Sequence, residues 1–279
     1  MALVSVAKAL ARVLKDAAPL PAEKVPLNDA LGRVLTQDVA ALRTQPPDPV
    51  SAMDGYAVRG TDVADAPARL IVIGEVAAGH PFDGTIGPGQ AARIFTGGIM
   101  PVGADTVVIQ EHTLRENDAV MVQKPLAPGR NVRRRGLDFE QGQVLLEKGR
   151  RLTGRDLMLA AAMNHPAVPV HRRPKVAILG TGDELVPPGS VLSSGQIVFS
   201  NGFALSALAR AEGAEVDDLG IAHDSVAEIG AAVRRARDRG ADVLLTTGGA
   251  SVGEHDLVRQ ALAAEGLDLS FWRIALRPG

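Results

Sequence analysis

Apolar positions along this chain repeat with two different periods, and the change from one to the other divides it. From Ser5 to about Asp16, Val6, Leu10, Val13 and Leu14 recur at helical spacing until Pro19 and Pro21 break the pattern. This predicts an amphipathic helix whose stripe packs into a core. A short second helix is expected over 30–35 and a third over 155–163, where Leu157, Met158 and Leu159 precede a run of alanines. Between Pro46 and about Gly142 the texture changes to short β-rich runs at 70–76, 92–95, 106–111 and 119–122, separated by Gly, Pro, Asp and Asn. Arg115-Glu116-Asn117-Asp118 lies between two of them and reads as a hairpin turn.

From Lys175 onward strand and helix alternate. Strands are predicted at 176–179, 215–219, 243–246 and 269–274, and helices at 202–212, 226–239 and 257–265, ended by Gly213, Gly240 and Gly266. Ser225-Val226-Ala227-Glu228 has the spacing of a capping box, in which each side chain satisfies the other's free N–H. The alternation implies parallel strands joined by right-handed crossovers. The expected fold is therefore α/β plus β: a β-rich domain at 45–142, a flanking helical segment formed by 1–44 with 143–172, and a parallel-sheet, three-layer α/β domain at 173–279.

Charge and composition narrow the chemistry. Among 279 residues, 30 Lys and Arg oppose 32 Asp and Glu, so the net charge of −2 provides no global basic field for nucleic acid or an anionic membrane. Aromatic residues are 3% of the chain, too few for base-stacking platforms. With no cysteine, disulfides, thiolate metal sites and thiol nucleophiles are all excluded. The six histidines contain no i, i+4 zinc-like pair. No apolar run approaches the roughly 20 residues that span a bilayer, and no signal-peptide pattern opens the chain. A soluble, cytoplasmic protein is expected, with partners that are neither nucleic acid nor membrane.

Ligands of parallel α/β sheets bind beyond the carboxyl ends of the strands. After the first strand comes Gly180-Thr181-Gly182-Asp183-Glu184, and after the second Gly220-Ile221-Ala222-His223-Asp224. The third is followed by Thr246-Thr247-Gly248-Gly249-Ala250-Ser251-Val252-Gly253-Glu254-His255-Asp256, and the fourth by Arg277-Pro278-Gly279. Gly248, Gly249 and Gly253 allow backbone N–H groups to turn toward an anion, and a helix beginning near Leu257 adds its positive end. Asp183, Glu184, Asp224 and Asp256 are hard oxygen donors of the kind that hold Mg²⁺ with a phosphorylated substrate. Metal-assisted phosphate chemistry follows, although Asp224 and Asp256 each precede a helix and could simply cap it. Gly180-Thr181-Gly182 lacks the third glycine and immediate helix of a dinucleotide site, and Pro187 and Pro188 follow it. His223 and His255 read as solvated neighbours. In the β-rich stretch, Arg130, Arg133, Arg134 and Arg135 suit phosphate or carboxylate oxygens, with a solvated charged loop as the alternative.

Five motifs in order resemble the molybdopterin molybdenumtransferases, a family that includes the E domain of gephyrin. They are Ser51-Ala52-Met53-Asp54-Gly55-Tyr56-Ala57-Val58; Arg93-Ile94-Phe95-Thr96-Gly97-Gly98 with Pro101-Val102-Gly103-Ala104-Asp105; Asn131-Val132-Arg133-Arg134-Arg135-Gly136; Gly182-Asp183-Glu184-Leu185; and the loop from Thr246 to Asp256. The resemblance implies a molybdopterin-binding α/β domain and insertion of molybdenum from molybdate into adenylylated molybdopterin, with Mg²⁺-dependent release of AMP. It places Asp183, Glu184, Asp224 and Asp256 at catalytic and metal positions. It places Asp54, Thr96, Arg133, Arg134, Arg135, Thr181, Gly248, Gly249, Ser251, Gly253, Arg273 and Arg277 at substrate positions. It also implies a homodimer, in which the α/β domain of one subunit faces the β-rich domain of the other, and a molybdopterin adenylyltransferase as substrate donor. Two other readings stand beside it: an adenylyltransferase-like molybdopterin-binding enzyme, against which the Ser51–Val58 motif speaks, and a non-catalytic binding or scaffold protein. The chain departs from the family in Arg273 and Arg277 where lysine is common, in Asp48-Pro49-Val50, in Leu137, and in stopping at Gly279. It is expected to lack a C-terminal part.

Overall fold

The first helical repeat forms as its spacing requires. In the computed structural model, which describes residues 3–248, 257–271 and 274–275, α1 spans Val6–Leu14 and the Ser5 hydroxyl accepts the Lys8 N–H at 3.4 Å. Its stripe does not enter a core, contrary to expectation. Leu10 and Val13 are 56% and 63% exposed, Val6 and Leu14 are exposed as well, and Ala9 alone is buried. The helix is tethered by its flank, where Arg12 donates to the Ser270 carbonyl and lies over the Phe271 ring. The second expected helix, over 30–35, is also absent. A single 3-10 turn at Leu27–Asp29 ends before Gly32, which adopts a left-handed φ of +72°, and Leu35 then pairs with Val170 as an extended residue. Backbone pairing outcompetes a weak local helical preference here.

Contacts group the chain into two units, one formed by 1–24, 32–36 and 169–279, the other by 25–31 and 37–168. The segments expected to form a helical linker are divided between them. In the second unit the β-rich runs make β1 (Gly55–Val58), β2 (Ala68–Val76), β3 (Gln90–Ile94), β4 (Thr106–Ile109), β5 (Thr113–Glu116) and β6 (Ala119–Val122). They form one six-stranded sheet in the order β4-β1-β3-β2-β6-β5, antiparallel except between β2 and β3. β1 is buried on both faces. Tyr56 and Val58 pack with Leu70, Val108 and Val120, while Ala57 between them packs with Val76, Ile94 and Val107. The β5–β6 hairpin turns where expected, with Asn117 at φ +51°. Helix α2 (Gly154–Ala162) opens with a complete capping box between Thr153 and Asp156, which the sequence pattern had not singled out.

The other unit holds β7 (Lys175–Thr181), α3 (Asn201–Ala211), β8 (Glu215–Ala222), α4 (Val226–Asp238), β9 (Val243–Thr247) and α5 (Leu257–Ala264). The strands are parallel in the order β8-β7-β9. Leu179 packs on Ile229 and Val233 of α4 and on Val258 and Ala261 of α5. The next residue, Gly180, faces the opposite way against Phe199, which also packs on Gly202 of α3. Helices thus cover both sheet faces. The fourth strand expected at 269–274 is not formed among the described residues. Ile274 instead makes a parallel bridge with Val4. The anticipated capping box of α4 is half made: Ser225 accepts the Glu228 N–H, but the Glu228 carboxylate takes the His223 N–H.

Candidate functional site

Strand register brings three loops to one edge. Thr181 lies opposite Ala222 and Gly180 opposite Thr247, so the residues after β7, β8 and β9 leave the sheet side by side. Gly248 has a φ of +94°, and a Cβ on it would stand 2.1 Å from the Thr181 carbonyl oxygen, so only glycine fits this approach. Asp183 Oδ1 accepts the Asp224 N–H at 3.1 Å and lies 3.1 Å from His223 Nδ1. Both the Asp183 and His223 side chains are 68% exposed, so the pair contributes little to stability and fixes orientation instead. The Glu184 carboxylate folds back over Gly182, close to where a Cβ would stand. The N-cap of α4 is Ser225, which leaves the exposed Asp224 carboxylate free of the capping role considered for it.

Asp183, Glu184 and Asp224 therefore stand on neighbouring loops at one edge; Asp256 lies outside the described residues, as do Gly249, Ser251, Gly253, Arg273 and Arg277. Among the described residues no group of three or more His, Asp or Glu side chains converges as a metal site. Thr181 ends β7 at the same edge. Its side chain is buried and its hydroxyl donates to the Thr247 carbonyl at 3.2 Å, bracing β7 to β9. His223, read from sequence as a solvated neighbour, is exposed but partners Asp183; its place directly after β8, level with Asp183 after β7, was the available signal.

Beside the acids lies a cleft of about 500 Å³ lined by Leu185, Val186, Pro187, Pro188, Phe199, Phe203, Ile221 and the polar groups Asp218 and His223. An apolar slot with few polar groups is the usual make-up of a small-molecule site. His223 belongs both to the cleft and to the Asp183 contact. A smaller cleft of about 240 Å³ sits where β7 and β8 begin, and its Asp217 and Arg239 pair with each other.

In the β-rich unit Asp54 and Thr96 form one feature. Both the N–H and the hydroxyl of Thr96 donate to Asp54 Oδ1 at 2.8 Å. The Thr96 N–H, then its hydroxyl and the nearby Arg93 charge, outweigh desolvation and hold the Asp54 carboxyl below the usual aspartate range. Arg133 donates to both oxygens of Asp138 at 2.9 and 3.0 Å. Arg134 and Arg135 are exposed, and their guanidinium groups have no partner among the described residues. These residues and the acids belong to different units.

A parallel α/β sheet with carboxylates and an apolar cleft at its carboxyl edge, preceded by a separate β-rich unit, defines a class of small-molecule-binding α/β protein. Residues 4–164 match the family model described as MoeA N-terminal region (domain I and II), and residues 177–279 match the probable molybdopterin binding domain. The chain belongs to the MoeA family of molybdopterin molybdenumtransferases. It is 42% identical over 261 residues to the molybdopterin molybdenumtransferase of Nostoc sp., covering 92% of this chain and 60% of that protein. It is 39% identical over 262 residues to the one of Haemophilus influenzae, covering 94% and 64%. The chain thus spans less than two thirds of the length of these two relatives. A solved structure of the molybdopterin biosynthesis MoeA protein of Pyrococcus horikoshii superposes with a TM-score of 0.82 at 36% identity, covering all of this chain and 70% of the other.

Proposed function

We propose that this chain carries machinery for inserting molybdenum, delivered as molybdate, into adenylylated molybdopterin with Mg²⁺-dependent release of AMP. The observation that supports this reading most is the Asp183 carboxylate, held by His223 and the Asp224 N–H beside an apolar cleft, within a stretch that matches a molybdopterin-binding family model. Carboxylates are the hard donors that Mg²⁺ takes one or two at a time, together with substrate phosphates. One or two of Asp183, Glu184, Asp224 and Asp256 would hold that ion, which supplies positive charge against the phosphoanhydride when bound.

The protein's own groups do the rest. His223 and the Asp224 N–H fix one oxygen of Asp183, and the other has no partner among the described residues. The cleft would take a ring of the substrate, purine or pterin, against its apolar wall. Backbone N–H groups of Gly248, Gly249, Ser251 and Gly253, in the stretch of sequence ahead of α5, would hold a phosphate. Arg133, Arg134, Arg135, Arg273 and Arg277, with Asp54 and Thr96, would position molybdate and substrate oxyanions. We read the working state as a cytoplasmic homodimer, in which the α/β unit of one copy faces the β-rich unit of its partner, supplied by a molybdopterin adenylyltransferase. The exposed stripe of α1 supports an assembly of copies.

The test is AMP release from adenylylated molybdopterin, with and without Mg²⁺ and molybdate, alongside direct binding of the same substrate. Release that needs both additions is the expected result. Substrate binding with no release under any condition overturns the reading in favour of a binding module.

A further inference from the structure

We propose that Arg93 is a positioning residue for the Asp54–Thr96 pair, a role that rests on the function proposed above. Its guanidinium carbon lies over two rings, 5.3 Å from the Tyr56 centroid and 4.8 Å from that of Phe95. Stacking of this kind fixes the plane of the group, so its donors have set directions. One nitrogen donates to the Gly55 carbonyl at 3.0 Å and another to Gln110 Oε1 at 2.8 Å. Gln110 in turn donates its backbone N–H to the Asp54 carbonyl at 3.1 Å. Arg93 therefore fastens the backbone on both sides of the peptide that follows Asp54, one side directly and the other through Gln110.

The same group also fixes Thr96 from the other direction. Phe95, whose ring carries the guanidinium, is the residue immediately before Thr96. The loops at 51–55 and 95–98 are laced further by the Ser51 N–H to the Gly98 carbonyl and the Gly97 N–H to the Ser51 carbonyl, both at 2.9 Å. Within this lacing the Arg93 fork is the side-chain element that reaches the Asp54 turn, the Phe95 ring and Gln110 together. Gly55 has no slack to compensate, because a Cβ there would stand 1.9 Å from the Val108 carbonyl oxygen. A small error in the turn would be passed directly to the Asp54 carboxylate.

Arg93→Met, Arg93→Lys and Gln110→Leu, compared with Asp54→Asn, test this. The first readout is amide hydrogen exchange at Thr96, whose N–H is held by Asp54; it needs no turnover. The expected result is faster Thr96 exchange in all three loosening variants with unchanged exchange in β5 and β6. In the AMP-release assay kcat should fall on the order of 10²-fold with KM little changed, as for a misplaced group. Arg93→Lys should not rescue it, because lysine keeps the charge but not the fork. Combining Arg93→Met with Asp54→Asn should add nothing to Asp54→Asn alone. Thr96 exchange that stays slow in both Arg93 variants and in Gln110→Leu overturns the proposal, as do multiplying effects on kcat in the double variant. Should AMP release be absent in the parent chain, the exchange result still decides the positioning role while the functional reading fails alone.

Discussion

The Asp183–His223–Asp224 arrangement separates charge from geometry at a single side chain. Asp183→Asn keeps an oxygen that accepts the Asp224 N–H, so the edge should stay folded with melting unchanged, while AMP release should fall on the order of 10²-fold or more if the charge acts as proposed. An unchanged rate with intact fold would remove Asp183 from the site. Gly248→Ala should behave in the opposite sense. A Cβ there meets the Thr181 backbone and the residue has a left-handed φ, so the substitution should cost about 1–3 kcal/mol in denaturant unfolding and weaken substrate binding with it. These residues were unevenly legible in the amino-acid pattern. Asp183, Glu184 and Asp224 could be grouped because strand ends in a parallel sheet share an edge. The Thr181 bond to Thr247 was not legible, since where a strand-terminal hydroxyl points depends on the last residue's twist. His223 was underrated because solvent exposure and a defined partner are compatible in a loop, and sequence shows only the first.

At the level of elements, two carboxylates set how acid acts on the chain. Asp156 at the start of α2 is pushed up by burial, but the Thr153 hydroxyl and N–H and the Arg150 guanidinium more than offset this and hold it below the usual range. Asp242, ahead of β9, accepts both forks of Arg172 at 2.6 and 2.7 Å and the Lys175 N–H at 2.9 Å; the Arg172 bond, opposed by burial, brings it down from 3.8 to about 2. A folded pKa below the unfolded one means stabilisation that is complete above the unfolded value and lost as pH falls through the folded one. For Asp242 that window runs from pH 3.8 down to about 2. Asp242→Asn should therefore lower stability at pH 6 on the order of 1 kcal/mol after screening and flatten the acid limb of stability between these values, measured by urea melts across pH. Thr153→Ala should cost about 1 kcal/mol through the lost cap. Strands and helices with long, clean periods were legible: β2, β3, β6, β7, α2 and α4 lie within a few residues of their expected places. The misread elements, 30–35 and 269–274, are short segments in which local preference is weak and a distant backbone partner, Val170 or Val4, decides.

At the scale of the whole molecule, the exposed face of α1 is where sequence pattern and single-chain structure disagree most. A helix with apolar side chains at 6, 10, 13 and 14 on one face has the pattern of a packed helix, yet within one chain that face is open. These side chains are 48–63% exposed, so covering them against a second copy contributes on the order of half the roughly 1.5–3 kcal/mol of full burial each, set against the cost of association. A second copy is the occupant that the proposed homodimer supplies, and it would also explain why the pattern is stronger than the packing seen in one chain. The expected outcome is a dimer by light scattering at micromolar concentration. Leu10→Glu with Val13→Glu should yield a monomer whose circular dichroism is unchanged, because these side chains are exposed in the single chain and no intramolecular core is lost. If the site is completed across that dimer, the double variant should also lose AMP release at low concentration and regain it as protein concentration rises. A parent chain that is monomeric at all accessible concentrations yet releases AMP at full rate would place every residue the reaction needs within one copy, and the α1 face would then need a different occupant.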